Sequence, residues 1–593
     1  MRPHPTLRSF RVSGPILAVA LLSSQELVHA ADPVDDLDHF LQTRPHIQDK
    51  DQITAYQKNL AQRVKAIPER PSELRRAVLL REFADEENPF GKIYQEARSD
   101  LVKRLQNVLR ERLRSKDTIR RLAVIAFLVD MARDEPESRF RQGVMHVGVQ
   151  DNASNRFTWS MRGDLLKLLS NKDEEPRVRA AVAEAVAVLD PAGEKTLDAL
   201  QAMLKPEREV VERRAAAKAL RRMIELLSDS PEPRPTLAPR IVAVAGLGLT
   251  DTKDAAVRLL CLKTIHEALQ KHRERLPRAL AISVNEQTPA VIHLLAEDDL
   301  DVRLAAYQVL ESTAMARRQE TGASLLPAAG SPEELSSSTP PKDEKIADAP
   351  PPLPSLRRAK IAQAPPPPPR NEENNLPDPK LPLLDNILKG VPALAQGLRD
   401  KEVRVRLAAL YVLESLGRQA APAVEAVTQT LTKDKNGFVR WGAARVLNNM
   451  APLEAKKAVP ALAEVLTDAN KVVRLSAAQA LECFGSQAKD AVKALIVAVG
   501  DAEPTVRMAA LNALKAIGVA AHPATGAVVQ ALGDQKPEVR ASAAKALAHL
   551  GLLDDKASKA LANALEDVDA TVRQAASETL LDNNSLSDNN GKH

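Results

Sequence analysis

From residue 400 to residue 580 the apolar and polar positions of the chain recur in blocks. Each block reads Asp, four residues, Val-Arg, two residues, Ala, three residues, Leu, as in Asp434–Leu447 (DKNGFVRWGAARVL). The Val falls at Val405, Val439, Val473, Val506, Val539 and Val572, at spacings of 34, 34, 33, 33 and 33. A fixed period of this size is the signature of a repeat array. At 100° per residue, positions 0, 4, 7, 8 and 11 counted from the Val share one helix face, the apolar stripe that faces a core. In one block these are Val473, Ala477, Ala480, Leu481 and Phe484. Ala at position 4 in five blocks (Ala409, Ala443, Ala477, Ala510 and Ala543) lets neighbouring helices approach closely. A first helix is predicted to end near Leu398, Leu466, Leu532 and Leu565, two residues before the Asp. The second helix then starts just before Val-Arg, where Pro504 and Pro537 suit a first turn. It stops at Gly417, Gly485, Gly518 or Gly551, twelve residues after the Val. No long run alternates with period two, so strands are not expected.

Upstream the template returns in looser form. Ile119-Arg120 leads to Phe127, Val178-Arg179 follows Asp173 by five, and Glu212-Arg213 leads to Leu220. Val257-Arg258 and Val302-Arg303 complete the series, at spacings of 59, 34, 45 and 45. Residues 134–163 occupy the longest gap and read as an irregular insert carrying Phe157, Trp159 and Met161. Further upstream, residues 34–115 are helical without a repeat: Leu101, Leu105, Val108, Leu109 and Leu113 lie on one face, with interleaved basic and acidic residues elsewhere. Residues 320–382 carry Pro340-Pro341, Pro350 to Pro352 and Pro365 to Pro369 among Ser, Ala, Glu and Lys. Such a stretch cannot bury a core and reads as a disordered linker, a plain spacer between two solenoids. Residues 583–593 read as a disordered tail.

At this point the blocks resemble HEAT repeats, of the short variety named after the phycobilisome lyases. The tetratricopeptide and ankyrin signatures are missing. The expectation is an all-α protein: an α-solenoid of HEAT-like helical hairpins in two arrays separated by the linker. The domains follow as 1–30 a signal peptide, 31–319 an irregular HEAT-like domain, 320–382 the linker, 383–582 the regular array, and 583–593 the tail.

The N-terminus sets the expected compartment. Arg2, Arg8 and Arg11 precede the apolar run Ile16 to Leu22, and Val28-His29-Ala30 is a small-residue cleavage pattern before Ala31. That layout predicts a secreted or periplasmic protein with no membrane span in the mature chain. A transit peptide or an uncleaved anchor is the rival reading. The formal net charge of +5 drops to about +3 without residues 1–30, which argues against nucleic acid as a partner. Cys261 and Cys483 are far apart and sit in helical Ala/Leu-rich contexts, where a free Cys behaves as a small buried hydrophobe.

The repeated acid–base pairs are read as scaffold, because catalytic groups are not normally duplicated in every repeat. Asp400, Asp434, Asp468, Asp501, Asp534 and Asp567 are expected to accept backbone N–H groups in the turn and cap the second helix. Arg406, Arg440, Arg474, Arg507, Arg540 and Arg573 are expected to pair with an Asp of the same or an adjacent repeat. No catalytic, cofactor or metal residue is assigned, since no phosphate loop, nucleophile elbow or HExxH occurs. Position 2 lies opposite the core face and carries Leu407, Trp441, Leu475 and Met508 in consecutive blocks, with Tyr411 and Phe438 near its start. An exposed stripe of this kind marks a partner site; the competing reading buries it against neighbouring helices. The function expected is an exported scaffold holding a protein partner on its concave face, without catalysis of its own. The resemblance also implies an enzymatic alternative, lyase-like or oxidoreductase, but an iron-binding oxidoreductase needs several His-Glu pairs and only His266-Glu267 occurs.

Overall fold

The computed structural model describes residues 32–42, 50–78, 80, 91–133, 153–227, 237–273, 276–321, 384–551 and 553–590. The expected signal peptide and all but the first two residues of the expected linker lie outside these residues. Among the described residues every regular element is a helix, as the periodicity predicts. The chain divides into two compact units.

The first unit packs α1 (Pro33–Gln42), α2 (Lys50–Ala66), α3 (Pro71–Val78) and α4 (Gly91–Leu113). The predicted apolar face of α4 is its buried face, with Leu101, Leu105, Val108, Leu109 and Leu113 all inside. Phe40 stacks on Tyr56 at 4.8 Å between ring centroids, and the Tyr56 and Tyr94 hydroxyls hydrogen-bond at 2.8 Å. Arg104, on the basic side of α4, donates to the Val64 and Ile67 carbonyls that end α2 (2.7 and 2.6 Å). That basic residue therefore serves the fold.

The second unit is a stack of hairpins. Its second helices pack in series: α5 (Thr118–Arg133), α7 (Pro176–Leu189), α9 (Val210–Leu227), α11 (Ala255–Lys271), α13 (Leu300–Thr321), α15 (Val403–Leu416), α17 (Gly437–Met450), α19 (Lys471–Phe484), α21 (Pro504–Ile517), α23 (Pro537–Leu547) and α25 (Ala570–Asn590). The helices between them are α6 (Ala153–Ser170), α8 (Glu194–Met203), α10 (Leu237–Leu249), α12 (Arg278–His293), α14 (Val391–Gly397), α16 (Val424–Lys433), α18 (Ala455–Glu464), α20 (Val492–Ala498), α22 (Thr525–Ala531) and α24 (Asp555–Ala564). The core positions behave as read: Val473, Ala477, Ala480, Leu481 and Phe484 are all buried, as are the five position-4 alanines. Gly417, Gly485 and Gly518 end α15, α19 and α21 at φ of 56°, 55° and 75°, a backbone that only glycine adopts without strain.

Several expectations need correction. Ile119 is 78% exposed, so it is not a core position; the repeat register there is Arg120-Arg121, which places Val124 and Leu128 at buried positions 4 and 8. The insert at 134–163 is helical from Ala153 onward, and Met161 is fully buried; the Phe157 and Trp159 side chains lie outside the described residues. Helix α25 runs to Asn590, so the tail expected to be disordered from 583 is helical to that point. Cys261 is buried as expected, with its thiol pushed up to about 12 by burial, but Cys483 is exposed; both are free. Position 10 of its helix turns away from the core.

Candidate functional site

The repeated acid–base pairs form a ladder that runs the length of the second unit. In the regular array each Arg forks onto the Asp of the next repeat. Arg406 reaches Asp434 at 2.7 and 3.1 Å, Arg440 reaches Asp468 at 2.6 and 2.8 Å, and Arg474 reaches Asp501 at 2.7 and 2.9 Å. Arg507–Asp534 and Arg540–Asp567 repeat the geometry. The remaining guanidinium nitrogen turns back to the carbonyl of its own repeat's Asp, as from Arg440 to Asp434 at 2.8 Å. Arg573 in the last repeat donates to the Asp567 and Val568 carbonyls. The Asp residues accept backbone N–H groups as expected, but they are not the caps of the second helix. Each accepts the backbone N–H two residues on, at 2.8–2.9 Å, and so closes the turn before the helix. The caps of α17 and α19 are instead Asn436 and Asn470, whose side chains accept from Phe438 and Val472.

The ladder continues through the irregular half, its first three acids at other offsets and its last two at the template offset: Arg121–Glu174, Arg179–Glu212 (2.6 Å), Arg213–Asp251 (2.5 Å), Arg258–Glu297 (3.0 Å) and Arg303–Asp400 (3.3 Å). Burying a guanidinium without partners is costly, and each of these arginines has both a carboxylate and a position beside the turn. Two pulls act on the Asp468 and Asp501 carboxyls. Burial raises Asp468 and Asp501, but the arginine hydrogen bonds and the turn N–H outweigh it, leaving both below the usual carboxylate range. At Asp567 the Arg540 hydrogen bond is the leading cause, and the shift is again downward.

The apolar stripe is not the open patch its sequence suggests. Leu407 is only 6% exposed and Ala541 8%; Trp441, Leu475, Met508 and Tyr411 are half-buried. Phe438 alone of the six candidates stands out, at 48%. The cause is that each internal second helix packs against two others, so its flanks are covered as well as its core face. What remains there is a half-buried strip of positions 2, 6 and 9, mixed in chemistry, beside the more exposed position 10 and Phe438. Arg445 lies over the Trp441 ring at 4.8 Å and pairs with Glu414 of the preceding repeat. Burial pushes the Tyr411 hydroxyl and the Glu414 carboxyl up, the latter against the pull of Arg445. Glu311 on α13 is raised as well, by burial first and then by Glu414. Further along, His266 Nδ1 lies 3.1 Å from the Ser312 hydroxyl, which also accepts from Gln270. Sequence reasoning named Tyr411 and Trp441 on this strip but missed Glu311, Glu414 and Arg445, because nothing in their own repeats marks them. Among the described residues no group of three or more His, Cys, Asp or Glu is placed to hold a metal ion, and no helix is long and apolar enough to cross a membrane.

A family profile agrees with the repeats in the regular array. The family profile described as HEAT repeats matches residues 391–482, 459–525 and 517–581. A search of curated proteins found no match. Among solved structures the chain is similar to an engineered protein, at 18% identity and a TM-score of 0.40, over 75% of this chain and 99% of that one. It is also similar to a designed armadillo repeat protein in complex with a (KR)4 peptide, at 19% identity and 0.29, over 32% and 99%. A third is Kap95 in its complex with Nup1, at 14% identity and 0.32, over 93% and 66%.

Proposed function

We propose, from the premise that this chain is a HEAT-repeat protein, that it is an exported scaffold whose second helices hold a segment of a protein partner. The observation that carries the reading is the division of labour between repeated and unrepeated positions. Repeated residues are consumed by core and ladder. The unrepeated ones at the start of the regular array are Phe438, an exposed ring just before position 0, and, on the strip, Trp441 with Arg445 over its face and Glu414 paired to that arginine. Aromatic and arginine side chains are the commonest energetic anchors of protein interfaces. A solenoid of this type presents such residues on its extended concave surface, suited to an elongated segment. The scaffold reading assigns no chemistry to the chain itself. Export is part of the reading and rests on the basic, apolar and small-residue layout of residues 1–30.

The test is capture with the mature chain, from Ala31 onward, as bait in the exported fraction. Partners that crosslink are then challenged with Phe438→Ser. Because Phe438 is half exposed, the variant should keep its helical signal and melting temperature while losing at least tenfold in capture, about 1.4 kcal/mol. Undiminished capture would remove this end of the array as the binding face. Native N-terminal sequencing that begins at Met1 in a cytosolic fraction would remove export.

A further inference from the structure

We propose that residues 117–321 and 384–590 meet at a non-covalent joint strong enough to keep the solenoid whole when the chain is cut between them. The partner of the face formed by α12 and α13 is thus the first hairpin of the regular array, and it needs no covalent connection to stay there.

The joint is built from contacts of several kinds. Asn386 donates from its side chain to the Asn285 carbonyl at 2.9 Å and from its backbone N–H to the Asn285 side chain at 3.0 Å. Arg317, buried near the end of α13, donates to Asp385 at 2.7 and 3.1 Å and also to Gln419 of the following turn. The Tyr307 ring lies over Gly397 so closely that a Cβ there would fall 1.9 Å from the hydroxyl. A Cβ on Gly390 would meet Ile292 at 2.8 Å. Leu384, Ile387 and Leu394 are fully buried on the other side of the contact.

The ladder crosses the same joint, but loosely. Arg303 approaches Asp400 through one nitrogen at 3.3 Å, where the regular array has a two-pronged fork. The asparagine pair and Arg317 are additions that the other junctions of the regular array do not have, and they compensate at this point. The connection itself is far longer than the joint requires. Thr321 is four residues beyond Arg317, which touches Asp385, whereas the 62 residues from 322 to 383 could span roughly 200 Å. The two arrays are neighbours because their surfaces match.

The experiment replaces Pro365–Pro369 in the full mature chain with a recognition sequence for a site-specific protease and separates the cut protein by size at micromolar concentration. The two fragments should elute together at the volume of the uncut chain, and a tag on one should carry the other in equal amount. Fragments that elute apart overturn the proposal. Arg317→Asp should weaken fragment association at least tenfold, and adding Asp385→Arg should restore it. Unchanged association in Arg317→Asp also overturns the proposal. If uncut Arg317→Asp has lost helical signal, Asn386→Ala takes its place, with the same tenfold loss expected and the same overturning outcome.

Discussion

Arg474 shows what one rung of the ladder does. Two of its nitrogens bind Asp501 of the next repeat and a third binds the Asp468 carbonyl of its own. Arg474→Ala would strand Asp501 in a largely buried site, and the expected loss is about 3 kcal/mol. Arg474→Lys keeps the charge but cannot make the fork, so most of the loss should persist. Urea unfolding followed by circular dichroism checks both. The Asp468 and Asp501 carboxyls lie below their ordinary value, so their contribution is present above about pH 4 and disappears as pH falls through the lowered value. Glu311 has the opposite sign, since burial raises it. Its folded form costs stability increasingly as pH rises through that raised value. Glu311→Gln should therefore match the parent in melting temperature below about pH 4 and exceed it at pH 7.5; equal curves across that range would refute the assignment. The regular rungs were legible in the sequence because Asp and Arg recur at fixed offsets. The irregular rungs were not. Glu174, Glu212 and Asp251 stand four, zero and six residues before their own template positions, Glu297 keeps the offset of five but replaces Asp by Glu, and geometry accepts any acid that reaches.

A helix inside a stack has three covered sides, and this governs how the repeat tolerates change. Periodicity identified the core face correctly, because positions 0, 4, 7, 8 and 11 carry the strongest apolar signal. It could not show that position 5 is also covered, where Leu410, Ala444, Ala478, Leu511 and Ala544 are buried between successive second helices. The same packing half-covers Trp441, Leu475 and Met508, which is why a stripe that looked solvent-facing on a single helical wheel is mostly closed. Position 4 carries Ala in five repeats and is fully buried in each. Ala477 is fully buried on α19, a helix that packs against α17 and α21. Ala477→Leu would insert three carbon atoms into a fully buried site, with an expected loss of about 1–3 kcal/mol, of the order seen for overpacked cores. Hydrogen exchange should localise the effect to α17, α19 and α21, because each hairpin touches only its neighbours. A uniform change along the whole array would contradict that picture.

Across the second unit, the chain is continuous in space where it is interrupted in sequence. The Pro-rich residues between the arrays read as a spacer from composition. Composition cannot report, however, that Asp385 and Arg317 lie in contact on either side of it. If the arrays were independent bodies needing separation, shortening the connection would pull Asn386 off Asn285 and loosen Arg317. If their surfaces hold them together, shortening should do the reverse, because a shorter loop costs less entropy to close. Replacing residues 322–383 with about ten Gly/Ser residues changes the closure term by (3/2)RT ln(62/10), about 1.6 kcal/mol in favour of the docked state. Hydrogen exchange across residues 384–397 should therefore slow by roughly tenfold or more, while the helices at the far end, α23 and α25, exchange as before. Faster exchange at residues 384–397 in the shortened chain would mean that the arrays need the full length between them.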